Sequence, residues 1–238
     1  MSVRKNIKNV FLLNIFLFIA LFMPIQAIAA GSADEEWFHR TDIELMRNID
    51  SNDWEGDLRY LGGPDYHKLL IQTEPEVEDG QLEELDLDFF YARPFGRYGL
   101  WKTGINYRYR PDVDIRVGAG IEYLLPYFIE VDTTFYQAND HSELDVEIER
   151  EFDLTSKWSL ALALESRWSS KTIESQELGN NWNYIERRAS IHYRHNVKLH
   201  LFIEYKAEQL WGKLKENTRQ EGLHTDNEEI YLGIKIMF

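Results

Sequence analysis

The stretch EEIYLGIKIMF, residues 228–238, stands at the carboxyl terminus and decides how the rest is read. Ile230, Leu232, Ile234, Ile236 and Phe238 are apolar at every second position, with Tyr231, Gly233, Lys235 and Met237 between them. Period two is the pattern of a strand whose two faces meet different surroundings. So clean an apolar face needs a cover, and an aromatic final residue leaves the strand nothing to lead into.

Earlier segments repeat the scheme. Leu85, Leu87, Phe89 and Tyr91 alternate with Glu84, Asp86, Asp88 and Phe90. Trp101, Thr103, Ile105, Tyr107 and Tyr109 alternate with Lys102, Gly104, Asn106, Arg108 and Arg110. Strands are expected near 37–47, 53–61, 65–74, 82–92, 100–110, 113–123, 126–137, 143–153, 158–168, 183–194, 198–210 and 228–238. No comparably long segment has the 3.6-residue period of an amphipathic helix. These strands run longer than the ~5–6 residues usual in soluble sheets. Their polar faces are dense in charge, and Tyr, Trp and Phe gather near their ends. Connections such as DLTSK and RHNV are tight, whereas Ser169–Asn181 and Gly212–Asn227 are long. Together these features predict an all-β, antiparallel outer-membrane β-barrel of about twelve strands, its apolar face covered by lipid and its edges removed by closure. An even count puts both ends in the periplasm.

The opposite end of the chain agrees with export. Arg4, Lys5 and Lys8 precede an apolar run from Val10 to Met23, and Ala27-Ile28-Ala29 supplies small residues where a signal peptidase cuts. Residues 1–29 are expected to be a signal peptide and 30–238 the barrel domain. Cysteine is absent, so disulfides and thiolate metal sites are excluded. The formal charge of −15 becomes more negative once the basic front is removed, which argues against nucleic acid and suits a molecule that meets cations.

One hairpin invites a register. If His195-Asn196-Val197 form a three-residue loop, Arg188 opposes Glu204, Glu186 opposes Lys206 and His192 opposes His200, with the charges in the lumen. Arg187 then faces lipid and has to snorkel. The same reasoning brings Glu84, Asp86 and Asp88 near Arg108 and Arg110. His192 and His200, with His195 in the adjoining turn, are the candidate metal ligands, since facing imidazoles can share a copper ion. Their alternative is an ordinary polar fill. Asp145, Glu147, Glu149 and Glu151 form an acidic ladder beside Glu130 and Asp132. It reads either as a loose cation site or as charge neutralised by Arg150, Arg167 and solvent. Ser190 and His192 suggest a hydrolase pair, but an i, i+2 separation of about 7 Å on a strand is too long for proton transfer. An enzyme is therefore not expected. A narrow, charged lumen suits a plugged or very small channel better than a wide pore.

The run DWEGDLRYLGGPDYHKLLIQTEPEVEDGQLEELDLDFFYARPFGRYGLWKTGINYRYRPD resembles the copper resistance protein B family of outer-membrane proteins. So do IEYLLPYFIEVDTTFYQANDHSELDVEIEREFDLT and the terminal EEIYLGIKIMF, and the likeness spans about Phe38 to Phe238. Its most specific pieces are Gly62-Gly63 with Tyr66-His67-Lys68-Leu69, Leu125-Pro126-Tyr127 before Glu130-Val131, and Glu149 with Asp153-Leu154-Thr155. The resemblance implies a barrel that aids copper tolerance by binding, sequestering or affecting the passage of copper ions. It also implies outer-membrane lipid, the barrel-assembly machinery (through the strand ending in Phe238) and periplasmic copper proteins as partners. The Met- and His-rich segment common in that family is missing. Beyond the signal only Met46 and Met237 remain, so copper has to meet His or carboxylate.

Overall fold

A computed structural model describes residues 37–64, 66–109, 113–172, 179–220 and 224–238. The expected signal peptide lies outside these residues. The strands are β1 (Trp37–Asn48), β2 (Trp54–Pro64), β3 (Lys68–Glu78), β4 (Gln81–Phe95), β5 (Gly99–Arg108) and β6 (Asp114–Leu125). They continue as β7 (Ile129–Gln137), β8 (Ser142–Asp153), β9 (Trp158–Ser169), β10 (Asn181–Arg194), β11 (Leu199–Leu210) and β12 (Asp226–Met237). Each pairs antiparallel with its sequence neighbours, and β1 pairs with β12, so the sheet closes into a barrel. Closure is sealed where Thr41 and Phe238 exchange both backbone hydrogen bonds, at 3.1 and 2.9 Å.

Alternation sets the two faces. Outward residues are large, apolar and exposed: Ile105, Ile115, Val117, Ile203 and Leu232 each show about half or more of their surface. In water such a band would aggregate; a bilayer covers it. Among the described residues no helix is long and apolar enough to cross a membrane, and the strands do the crossing. The inward face is charged for most of its height. Between the end that carries both termini and Tyr136 further up, it gives way to a small apolar core of Leu70, Phe90, Ala92 and Tyr136, with Leu61 and Leu100 packed on it.

Glycines make room for aromatic rings lying flat against the inner wall. A Cβ on Gly118 would sit 2.8 Å from the Phe90 ring and 3.0 Å from that of Tyr136, and one on Gly233 would run into the Phe202 ring. The tightest connection is the two-residue turn Asp79-Gly80, both with positive φ (48° and 74°), as a twist-matched hairpin turn requires.

Four sequence expectations change. The expected start of β7 at 126 moves to Ile129, because Pro126, Tyr127 and Phe128 form the turn, the last two in the left-handed region. The long loop after β11 contains a helix, α1 (Gly212–Gln220), whose only large apolar side chain is Leu214, too little for a hydrophobic period to show. The β10–β11 register differs by two residues from the expected one. The turn spans His195–Lys198, Leu199 accepts from both His195 and Asn196, and the opposed pairs are Arg194 with His200, His192 with Phe202, Ser190 with Glu204 and Arg188 with Lys206. A shift of two keeps every side chain on its expected face. Arg187 is accordingly exposed on the outer face. Arg150, expected to neutralise the acidic ladder, also faces outward, its guanidinium 4.2 Å from the Phe152 ring centre. Arg110 lies outside the described residues.

Candidate functional site in the barrel lumen

The lumen is crossed by ion pairs between strands that are not neighbours. At the end opposite the termini, Arg116 on β6 donates to Glu143 on β8 at 2.5 Å and to Asp86 on β4 at 3.0 Å. Arg108 on β5 holds Asp86 with two hydrogen bonds of 3.0 and 2.9 Å. That expected pairing of β4 with Arg108 is present. Arg116 and Glu143 are almost fully buried, and the Arg116 guanidinium also lies 4.5 Å over the Tyr136 ring. His141 completes the patch, with Nε2 2.7 Å from Glu143 and Nδ1 2.9 Å from Asp140.

Lower down, Arg167 binds Asp145, and Arg188 reaches Glu147 as well as Glu165 and Glu186. Lys206 bridges Glu186 at 3.3 Å and Glu55 of β2 at 3.1 Å. The expected Glu186–Lys206 pair thus forms, but diagonally, while Arg188 turns from Glu204 toward β8 and β9. Nearer the termini, Lys102 holds Asp132 at 2.7 Å, and Arg59 of β2 holds Glu122 of β6 at 2.6 Å. Arg194 holds Glu151 and Asp153. Cations run out before carboxylates do. Asp57, Glu74, Glu76, Glu149 and Glu204 face inward with no salt bridge among the described residues. Glu204 is 8% exposed, and its Oε1 has no hydrogen-bond partner. The acidic ladder is therefore partly neutralised, by Arg167, Arg188 and Arg194, and the lumen keeps an excess of negative charge.

The candidate histidines lie near the end that carries the termini. His192 and His200 have ring centres 6.4 Å apart at 80°, diagonal rather than opposed, and His192 stacks on Phe202 at 5.1 Å. His195 is exposed in the turn and the structure does not bring it to the pair. His192 Nε2 lies 2.8 Å from Ser190 Oγ. Expecting that contact to be too long was wrong: the imidazole leans along the strand and spans the gap to the short serine. No carboxylate among the described residues hydrogen-bonds the other ring nitrogen, so the pair lacks the orienting group of a hydrolase triad. Nor is any group of three or more His, Asp or Glu side chains among the described residues arranged to enclose a metal. Two imidazoles, one already engaged by Ser190, fit a copper ion as an open contact and not as a closed chelate.

A model of the copper resistance protein B precursor family matches residues 37–238, the whole of the barrel. The chain belongs to that family. Among curated protein sequences none matches it. Among solved structures, the NanC porin aligns with a TM-score of 0.54 at 11% identity, over 82% of this chain and 98% of that one. The KdgM porin in complex with disordered oligogalacturonate gives 0.50 at 10% identity, over 84% and 99%. Likeness at such identity shows the fold alone: this member of the copper resistance protein B family is a twelve-stranded outer-membrane barrel.

Proposed function

We propose that this barrel contributes to copper tolerance by drawing copper ions to an acidic, ion-paired lumen, with His192 and His200 as the first nitrogen contacts at the terminal-side mouth and His195 at its rim. Family membership supplies the link to copper. The observation that supports this mode is the surplus of inward carboxylates lying above a pair of imidazoles 6.4 Å apart. Carboxylates without counter-ions attract cations, and imidazole prefers copper to the harder ions. Contacts of this openness favour weak, exchangeable holding at the mouth and hand-over to periplasmic copper proteins. The β12 strand ending in Phe238 is the segment offered to the barrel-assembly machinery.

The test is growth of a deletion strain under rising copper, with zinc as the control, complemented by the intact gene and by a His192→Ala/His200→Ala version. Rescue by the intact gene alone supports the imidazole pair. Rescue by both moves the contact to the carboxylates. Absence of a copper phenotype, with ion conductance by the refolded barrel, favours a small pore instead.

A further inference from the structure

Outside the lumen, on the lipid-facing surface near the end that carries the termini, β1–β4 enclose a groove of about 360 Å³. Its walls are Trp37, Tyr60, Leu69, Phe89 and Tyr91, and Gly62 forms the floor. The Tyr60 ring lies over Gly62 in the space a side chain would take: a Cβ there would strike the Tyr60 hydroxyl, so any other residue pushes that ring into the groove. The polar edges of the walls are already occupied by one another. Trp37 hydrogen-bonds the Tyr60 hydroxyl, and His67 Nδ1 lies 2.5 Å from the Tyr91 hydroxyl. What remains open is apolar, as an acyl chain requires.

The rim supplies the second half of a ligand. Arg93 follows Tyr91 on the same outer face, two residues from the end of β4, and is exposed. Among the described residues it has no carboxylate partner, in a chain whose acidic groups outnumber its basic ones. Trp101, opposite Arg93 across the β4–β5 ladder, packs edge-on against Tyr91 at 5.4 Å and marks this depth as part of the aromatic girdle. A guanidinium at the lipid interface without a counter-ion, beside an apolar slot, matches a phosphate attached to an acyl chain.

We infer that this groove holds one glycerophospholipid of the adjacent leaflet, its acyl chain along Tyr60, Leu69 and Phe89 and its phosphate on Arg93. The bound lipid pins β1, the first strand, to β4 and orients that side of the barrel in the bilayer.

The test uses the refolded full chain in detergent doped with dioleoyl phosphatidylglycerol, with lipid retention read by native mass spectrometry. The wild-type barrel keeps one lipid after the others are stripped, Arg93→Gln lowers retention about tenfold, and Arg187→Gln on the same outer face leaves it unchanged. Inorganic phosphate at equal concentration does not displace the lipid. A phosphatidylglycerol carrying a photoreactive acyl chain labels the Leu69 and Phe89 peptides of the unmodified barrel, a readout that needs no variant. Equal loss in both arginine variants, displacement by phosphate, or labelling spread evenly around the barrel overturns the inference.

Discussion

Arg59 on β2 and Glu122 on β6 meet at 2.6 Å although four strand steps separate them around the barrel wall. A hydrogen bond of that span is a strut through the interior. It joins there with Lys102, which binds Asp132 and stands 3.6 Å from Glu122. Above and below it, the Lys206–Glu55 and Arg116–Glu143 pairs and the Phe90 core fill the remaining section.

Glu122→Ala opens this section without touching the lipid face. The pair is about a quarter exposed, so its loss should cost only ~1 kcal/mol of stability. Planar-bilayer recordings should show little conductance for the native barrel and a clear rise for the variant. Equal conductance for both would mean the strut does not limit passage.

Glu143 is the opposite case. It is fully buried between Arg116, Arg108 and His141, and Glu143→Ala takes an acceptor from the buried Arg116 guanidinium and a counter-charge from beside Arg108. Removing one partner of a buried network costs about 3–5 kcal/mol. Urea unfolding in lipid vesicles should show that loss, with Glu143→Gln intermediate because it keeps one acceptor oxygen.

Gly233→Val tests the inner wall. Its side chain collides with the Phe202 ring, on which His192 stacks, so both must move. A cost of about 1–3 kcal/mol is expected. Copper contact through His192 should weaken in parallel, read by the copper-induced signal of the refolded protein in electron paramagnetic resonance.

The β7–β8 and β9–β10 loops are clamped by Asp140, which lies 2.9 Å from His141 Nδ1 and 2.5 Å from Lys171 Nζ. These two hydrogen bonds pull the Asp140 carboxyl down to about 2. A carboxyl depressed on folding adds stability above its ordinary value near 4 and loses it as the pH falls toward 2. The protection factors of the Ser142 and Ser170 amides, which tie the same loops, should therefore hold from pH 7 to 5 and fall between pH 4 and 2, once intrinsic exchange is divided out. In Asp140→Asn the dependence should vanish.

Strand placement was legible because one face of every strand meets lipid, which imposes period two along most of each strand, with Arg150 and Arg187 among the few breaks. The pairing of Asp86 with Arg108 was legible for a related reason: neighbouring strands joined by a short connection bring near residues together. The β10–β11 register was not, because the same letters close with three or with five residues between Arg194 and its opposed partner, and the long side chains of Glu186 and Lys206 form their pair in either alignment. The struts were beyond such reasoning altogether. Nothing near Arg59 in the chain points to Glu122; only the curvature of a closed wall brings them together. The Ser190–His192 contact failed on a simpler count, since Cβ spacing says little about where an imidazole tip ends.

Closure between β1 and β12 also sets the order of events in folding. Asp42 pairs with Met237 and Ile43 with Ile236, so the ladder that completes the wall joins segments from opposite ends of the chain. Local hairpins can zip early, but this joint bears the largest loss of chain entropy and forms last. Until it does, the nascent sheet has two raw margins able to capture another copy. The slow phase of refolding should therefore be the joining of first strand to last. A catalyst that holds β12 while β1 arrives would speed that phase and leave the earlier hairpin steps unchanged.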